Sequence, residues 1–177
     1  NNMSKVSSCC SCGSECCGPA PTKKKIEIDF LYLDLSTCGR CQGTETNLDE
    51  AIREVSSVLE AAGYEVTLNR IHIDTKELAL KHQFVSSPTI RVNGRDIAME
   101  FKESLCQDCG DLCGDTVECR VWISDGVEYN EPPKSMIVNA ILKEVYSGSA
   151  APQDKNENYV LPENLARFFM GKEKSEA

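Results

Sequence analysis

The stretch Ile26-Glu27-Ile28-Asp29-Phe30-Leu31-Tyr32-Leu33, followed by Leu35-Ser36-Thr37-Cys38-Gly39-Arg40-Cys41, decides how this chain is read. Its first half begins with alternating apolar residues and becomes continuously apolar, the pattern of a strand entering a core. Its second half places two cysteines, separated by two residues, where a helix is about to begin. A helix start offers free amide hydrogens and the positive end of the macrodipole, both of which favour a thiolate. A nucleophilic thiolate also needs a resolving thiol close by, and the spacing supplies one. The same two sulfurs could equally serve as soft metal ligands.

Working outward, Leu48, Ile52, Val55, Leu59 and Ala62 recur at helical spacing, with Asp49, Glu50, Arg53 and Glu60 on the other face. This helix is expected to begin at Cys41 or only after Gly43, and to end at Gly63. Tyr64–Ile71 alternates as a second strand, and a short helix is expected around Lys76–Phe84. His72 and His82 read as structural or solvated. Ser86-Ser87-Pro88-Thr89-Ile90-Arg91-Val92 then opens a further strand, closed by the turn signal Asn93-Gly94. Glu118–Ser124 reads as another strand, followed by a turn at Asp125-Gly126. Pro133 opens a helix carrying Ile137, Ala140, Ile141 and Val145 on one face. A cysteine-bearing insertion at 96–117 separates the later strands. The chain closes with a linker and a short helix from Pro162, whose Leu165, Phe168 and Phe169 are expected to dock on the body or on a second subunit, so a homodimer is an open alternative.

The 177 residues suffice for one α/β domain with extensions. A net charge of −9 argues against a nucleic-acid surface, which needs a sustained positive field. Lys23-Lys24-Lys25 is too short to reverse this. No stretch has the length of a membrane helix, and a cytoplasmic location is expected. Eleven cysteines in three groups are unlike an extracellular disulfide framework, since they are clustered and odd in number.

In element order, with Cys38-Gly39-Arg40-Cys41 after the first strand and Ser87-Pro88-Thr89 before the third, residues 25–147 resemble the thioredoxin-like fold, in a cysteine-rich branch. The resemblance implies an α/β architecture: a central mixed sheet flanked by helices over 23–147, interrupted by the insertion at 96–117. A cysteine-rich arm (1–22) and a carboxy-terminal extension (148–177) flank it. It also implies roles: Cys38 attacks, Cys41 resolves, and Pro88, normally cis in that family, shapes the substrate groove. A surface thiol–disulfide oxidoreductase acting on a dedicated protein or small-molecule substrate is the leading expectation. Its partners would be an electron-donor reductase and a disulfide or metalloid substrate. Arg40 stands where thioredoxin has proline, so loop stiffness and redox poise are not carried over.

Two further constellations support a second expectation, a soft-metal or metalloid-binding and transfer protein. Cys106, Cys109, Cys113 and Cys119 offer four thiolates, enough for tetrahedral zinc or an iron–sulfur cluster. Cys9, Cys10, Cys12, Cys16 and Cys17 lie in a glycine-bearing segment in which several could converge on a soft metal or metalloid.

Overall fold

The structure is a computed structural model that describes residues 22–147 and 155–176. The cysteines at 9, 10, 12, 16 and 17 lie outside the described residues. Twelve elements follow one another: β1 (Lys24–Tyr32), α1 (Gly39–Ala61), β2 (Tyr64–His72), α2 (Lys76–His82), β3 (Thr89–Val92), β4 (Arg95–Asp96), β5 (Phe101–Leu105), α3 (Gln107–Cys113), β6 (Glu118–Ser124), β7 (Val127–Tyr129), α4 (Lys134–Tyr146) and α5 (Glu163–Glu176). Among the described residues, no helix is long and apolar enough to cross a membrane.

β1 is the centre of a four-stranded mixed sheet of order β2-β1-β3-β4. It runs parallel to β2 through the α1 crossover and antiparallel to β3. This α/β arrangement is compatible with a thioredoxin-like one. The continuous apolar run of β1 has its reason here, because both sheet faces are covered. Ile26, Ile28 and Phe30 meet Leu48, Val55 and Leu59 of α1 and Ile137 and Ile141 of α4. Leu31 and Leu33 enter a second core with Phe84, Val117, Leu165, Phe168, Phe169 and the cysteines. The Ser87–Pro88 peptide that leads into β3 is cis.

Three features differ from the sequence reading. Glu118–Ser124 is not a further strand of the central sheet. It is the middle of a separate antiparallel sheet, β5-β6-β7, and only the two-residue β4 completes the central one. The insertion is therefore itself folded, as a strand and a helix that lead into β6. Second, α1 starts at Gly39, earlier than either expected boundary. Gly43 does not break it, because that glycine makes room for a neighbour: a Cβ there would lie 2.1 Å from the Glu131 carboxyl. Third, Phe168 and Phe169 are buried within the chain, packed edge to face, so they offer no apolar surface to a second subunit. α5 approaches α3 so closely that a Cβ on Gly171 would fall 2.2 Å from the Cys113 carbonyl oxygen.

Candidate metal centre

Two strand-to-helix junctions of the same design face each other. β1 leads through a short loop to Cys38, the N-cap of α1, and β5 leads directly to Cys106, the N-cap of α3. Each cap residue opens a Cys-x-x-Cys sequence, Cys38–Cys41 and Cys106–Cys109. In both, the cap is extended while the following residues turn helical, which swings the first sulfur across the helix start. Cys119 arrives from β6, paired in register with Ser104 of β5.

The result is a cluster of four sulfurs. Cys38, Cys106, Cys109 and Cys119 are all buried, and their Sγ atoms lie within 4.8 Å of one another. Cys38 and Cys106 are 3.8 Å apart, and Cys109 and Cys119 are 3.7 Å apart. These are contact distances rather than bonds, and all six described cysteines are free thiols.

Opposite halves of the site hold each other in place. The Gly39 amide donates to Asp108 Oδ2 (3.0 Å), so a carboxylate of α3 caps the start of α1. The Arg40 guanidinium crosses the other way and donates to the carbonyls of Leu105 (3.1 Å), Cys119 (3.2 Å) and Ser104 (3.4 Å). Arg40 is thus neither a solvent residue nor a direct thiolate partner. It ties the loop of Cys38 to the strand ends that carry Cys106 and Cys119. Asp34 organises the loop itself, accepting from the amides of Ser36, Thr37 and Cys38 and from both hydroxyls. Burial pushes its carboxyl up, but the hydrogen bonds from Thr37 and Ser36 prevail and hold its pKa at about 2.

Proton affinities within the cluster diverge strongly. Cys38 is held far below the ordinary thiol range by hydrogen bonds from Cys106, Cys109, Cys119 and Cys41, against the effect of burial. Hydrogen bonds from Cys109 and Cys119 bring Cys106 down to about 7. Hydrogen bonds with Cys106, Cys119 and Cys38, together with burial, drive Cys109 up, and the hydrogen bond with Cys106, again with burial, does the same to Cys119. With protons alone, the group settles on a thiolate at Cys38 surrounded by donors.

Cys41, expected beside Cys38 as resolving thiol, is a fifth sulfur outside the four. It is buried, lies 3.5 Å from Ser87 Oγ and hydrogen-bonds to the Cys38 sulfur, which raises its own proton affinity. Pro88 is buried next to that serine. The expected surface pair is not found, since Cys38 and Cys41 both have 0% exposure. Cys113 is not brought into the cluster. It sits one turn beyond Cys109, its sulfur is 3.8 Å from the carbonyls of Gly110 and Asp115, and burial raises its proton affinity. His72 bonds through Nε2 to the Leu33 carbonyl (2.8 Å) and stacks on Tyr32. The residues that sequence reasoning did not assign to the site are Asp34 and Asp108. The repeated strand–Cys-x-x-Cys–helix pattern was the signal that could have paired the two junctions.

Fold and site together define an α/β protein with a four-cysteine centre buried between its main sheet and a folded insertion. Residues 26–141 match the family described as Domain of unknown function (DUF2703), and the chain belongs to that family. No curated protein and no solved structure matches the chain.

Proposed function

We infer that this protein binds and transfers a soft metal, holding a single tetrahedral ion through Cys38, Cys106, Cys109 and Cys119 on a thioredoxin-like scaffold. The observation that carries the reading is the convergence of four buried sulfurs from three separate segments within 4.8 Å. A zinc–thiolate bond of about 2.3 Å gives a regular tetrahedron with edges of about 3.8 Å. The two shortest sulfur pairs, 3.8 and 3.7 Å, have that length. A polynuclear iron–sulfur cluster interposes several atoms between its cysteines and requires more room than this cage offers. The bound ion would supply the positive charge that lets all four cysteines ionise together. The start of α1 and the Arg40 guanidinium lie beside the excess negative charge of four thiolates around a divalent ion.

The scaffold reading is supported by sheet order and by chain order: strand, crossover helix, parallel strand, helix, then two antiparallel strands and a final helix. The departure is that β5, α3, β6 and β7 intervene before α4 and bring three ligands to the first thiol of the Cys-x-x-Cys motif. In the thioredoxin-like scheme that thiol performs exchange; here it becomes a ligand.

A second reading, thiol–disulfide exchange with a dedicated disulfide or metalloid substrate and a reductase as electron donor, has one observation in its favour. Cys41 remains outside the four-sulfur group and is hydrogen-bonded to Cys38. It ranks second because neither sulfur has any exposed surface through which a substrate disulfide could be attacked in line.

The test is anaerobic purification of the full chain, elemental analysis and cobalt substitution. One equivalent per folded domain, with the intense visible bands of a tetrahedral cobalt–thiolate centre, is expected. A folded protein that takes up neither zinc, iron, cobalt nor cadmium sinks the proposal.

A further inference from the structure

The sulfurs of the centre differ in access. Cys38, Cys41, Cys109 and Cys119 have no exposed surface, whereas Cys106 retains 6%. Cys106 also lines a hollow of about 560 Å³, together with Leu105, Gln107, Asp111, Asp115 and Thr116. The lining has two carboxylates and no basic side chain. The carboxylates have neutral partners: Asp111 accepts from Gln107 Nε2 (2.6 Å) and Asp115 from the Thr116 amide (2.7 Å). Such a mouth disfavours an anionic oxidant, including a peptide disulfide that carries carboxylates, and leaves a small neutral one unopposed.

From Cys106 a line of sulfur contacts runs inward. Its Sγ lies 3.8 Å from that of Cys38. Cys38 in turn is hydrogen-bonded to Cys41, in the first turn of α1. Cys41 is the one sulfur of this line that is not among the four ligands. That difference decides where an oxidised pair comes to rest. A disulfide between any two of the four ligands removes two metal–sulfur bonds, whereas a Cys38–Cys41 disulfide removes one. While an ion is held, the loss of fewer bonds favours the second product.

Resting on the single-ion reading above, we propose that Cys106 is the thiol at which a hydroperoxide reaches the centre, and that the oxidation comes to rest as a Cys38–Cys41 disulfide, leaving the ion on three sulfurs with one coordination position open. The Cys106 thiolate attacks the peroxide; the O–O bond breaks, a sulfenic acid forms, and two electrons pass from sulfur to the departing alkoxide or hydroxide. The Cys38 thiolate then attacks the Cys106 sulfur and expels hydroxide, giving a Cys38–Cys106 disulfide. Cys41 attacks Cys38 in its turn, and the Cys106 thiolate leaves and rejoins the ion. The proton that Cys41 gives up neutralises one of the two oxygen anions released. Over the sequence the Cys38–Cys41 pair is oxidised by two electrons and the peroxide is reduced by two. The ion, with an open position, is then ready for a ligand from an acceptor.

The experiment uses the full-length reduced chain with Cys9, Cys10, Cys12, Cys16 and Cys17 replaced by serine, loaded with zinc, which takes no part in electron transfer. The protein is exposed to hydrogen peroxide, quenched by alkylation and mapped by mass spectrometry, and its zinc affinity is measured by chelator competition. A Cys38–Cys41 disulfide is expected, with zinc held at least about tenfold more weakly, since a ligand counts for more than an outer-shell support. Dithiothreitol is expected to restore the affinity. Cys41→Ser is expected to stop the relay at the Cys38–Cys106 disulfide. Thr116→Trp, which puts an indole beside the hollow, is expected to slow oxidation with the zinc affinity of the reduced protein unchanged. A Cys106–Cys109 or Cys109–Cys119 disulfide as the main product overturns the proposal, as does a Cys41→Ser protein without the Cys38–Cys106 bond. An undiminished rate in the Thr116→Trp protein also overturns it. A reduced chain that takes up no zinc is a separate result, and refutes the metal centre itself and this proposal with it.

Discussion

Replacing Arg40 by methionine removes the guanidinium that spans the two halves of the site while keeping most of its aliphatic length. The side chain donates to three carbonyls, at 3.1, 3.2 and 3.4 Å, the last near the limit of a useful bond. Counting the two shorter ones at about 1 kcal/mol each, as partly exposed bonds whose acceptors can recruit water, gives a loss of about 2 kcal/mol. For a chain of this size, that corresponds to about 4–8 °C in melting temperature. Because the strap fixes Cys38 relative to Cys106 and Cys119, the ion should also be held about 10–100-fold less tightly, the usual penalty for losing an outer-shell support. Urea unfolding of the metal-free protein measures the first quantity, and chelator competition measures the second. A stability change below about 0.5 kcal/mol together with unaltered affinity would refute the idea that Arg40 joins the two junctions.

Other expectations concern the surroundings. Asp96→Ala should destabilise the protein by about 3 kcal/mol in urea unfolding, because it leaves the fully buried Arg120 guanidinium, paired at 2.8 and 2.9 Å and placed over the Phe101 ring, without its carboxylate. Gly171→Ala should loosen α5 from α3 and hasten proteolysis of the carboxy-terminal helix, since the added methyl meets main-chain atoms of Cys113 rather than a side chain that can turn away. Loading near neutral pH should release between about two and three protons per ion, because Cys38 is already ionised, Cys106 titrates at about 7, and Cys109 and Cys119 are protonated. Calorimetry in buffers of different ionisation enthalpy counts them. The sign follows: apparent affinity rises with pH through this range and falls as protons compete for the thiolates.

Much of the scaffold was legible because its signals are local. The apolar run of β1, the periodicity of α1 and the Pro88 junction each name an element without reference to any other. The destination of β6 was not legible, since Glu118–Ser124 carries the same pattern whichever sheet it joins. The site divided along the same line. Cys38, Cys106, Cys109 and Cys119 stood out as sulfur ligands or nucleophiles, but in two separate groups. Their union depends on the chain folding so that two helix starts separated by 68 positions oppose each other. Cys113 was grouped with its sequence neighbours by spacing alone. Four residues along a helix is about 6 Å of rise, enough to carry its sulfur out of the cage. Arg40 was ambiguous for a related reason, as its acceptors lie on strands whose position no local pattern specifies.

The most direct measurement is X-ray absorption at the metal edge of the full chain carrying zinc, compared between Cys38→Ser and Cys41→Ser proteins. Four sulfur scatterers at about 2.3 Å are expected in the parent and in Cys41→Ser, and three sulfurs with one lighter atom in Cys38→Ser. Four sulfurs retained in Cys38→Ser, with one lost in Cys41→Ser, contradict the assignment of the first motif thiol to the metal.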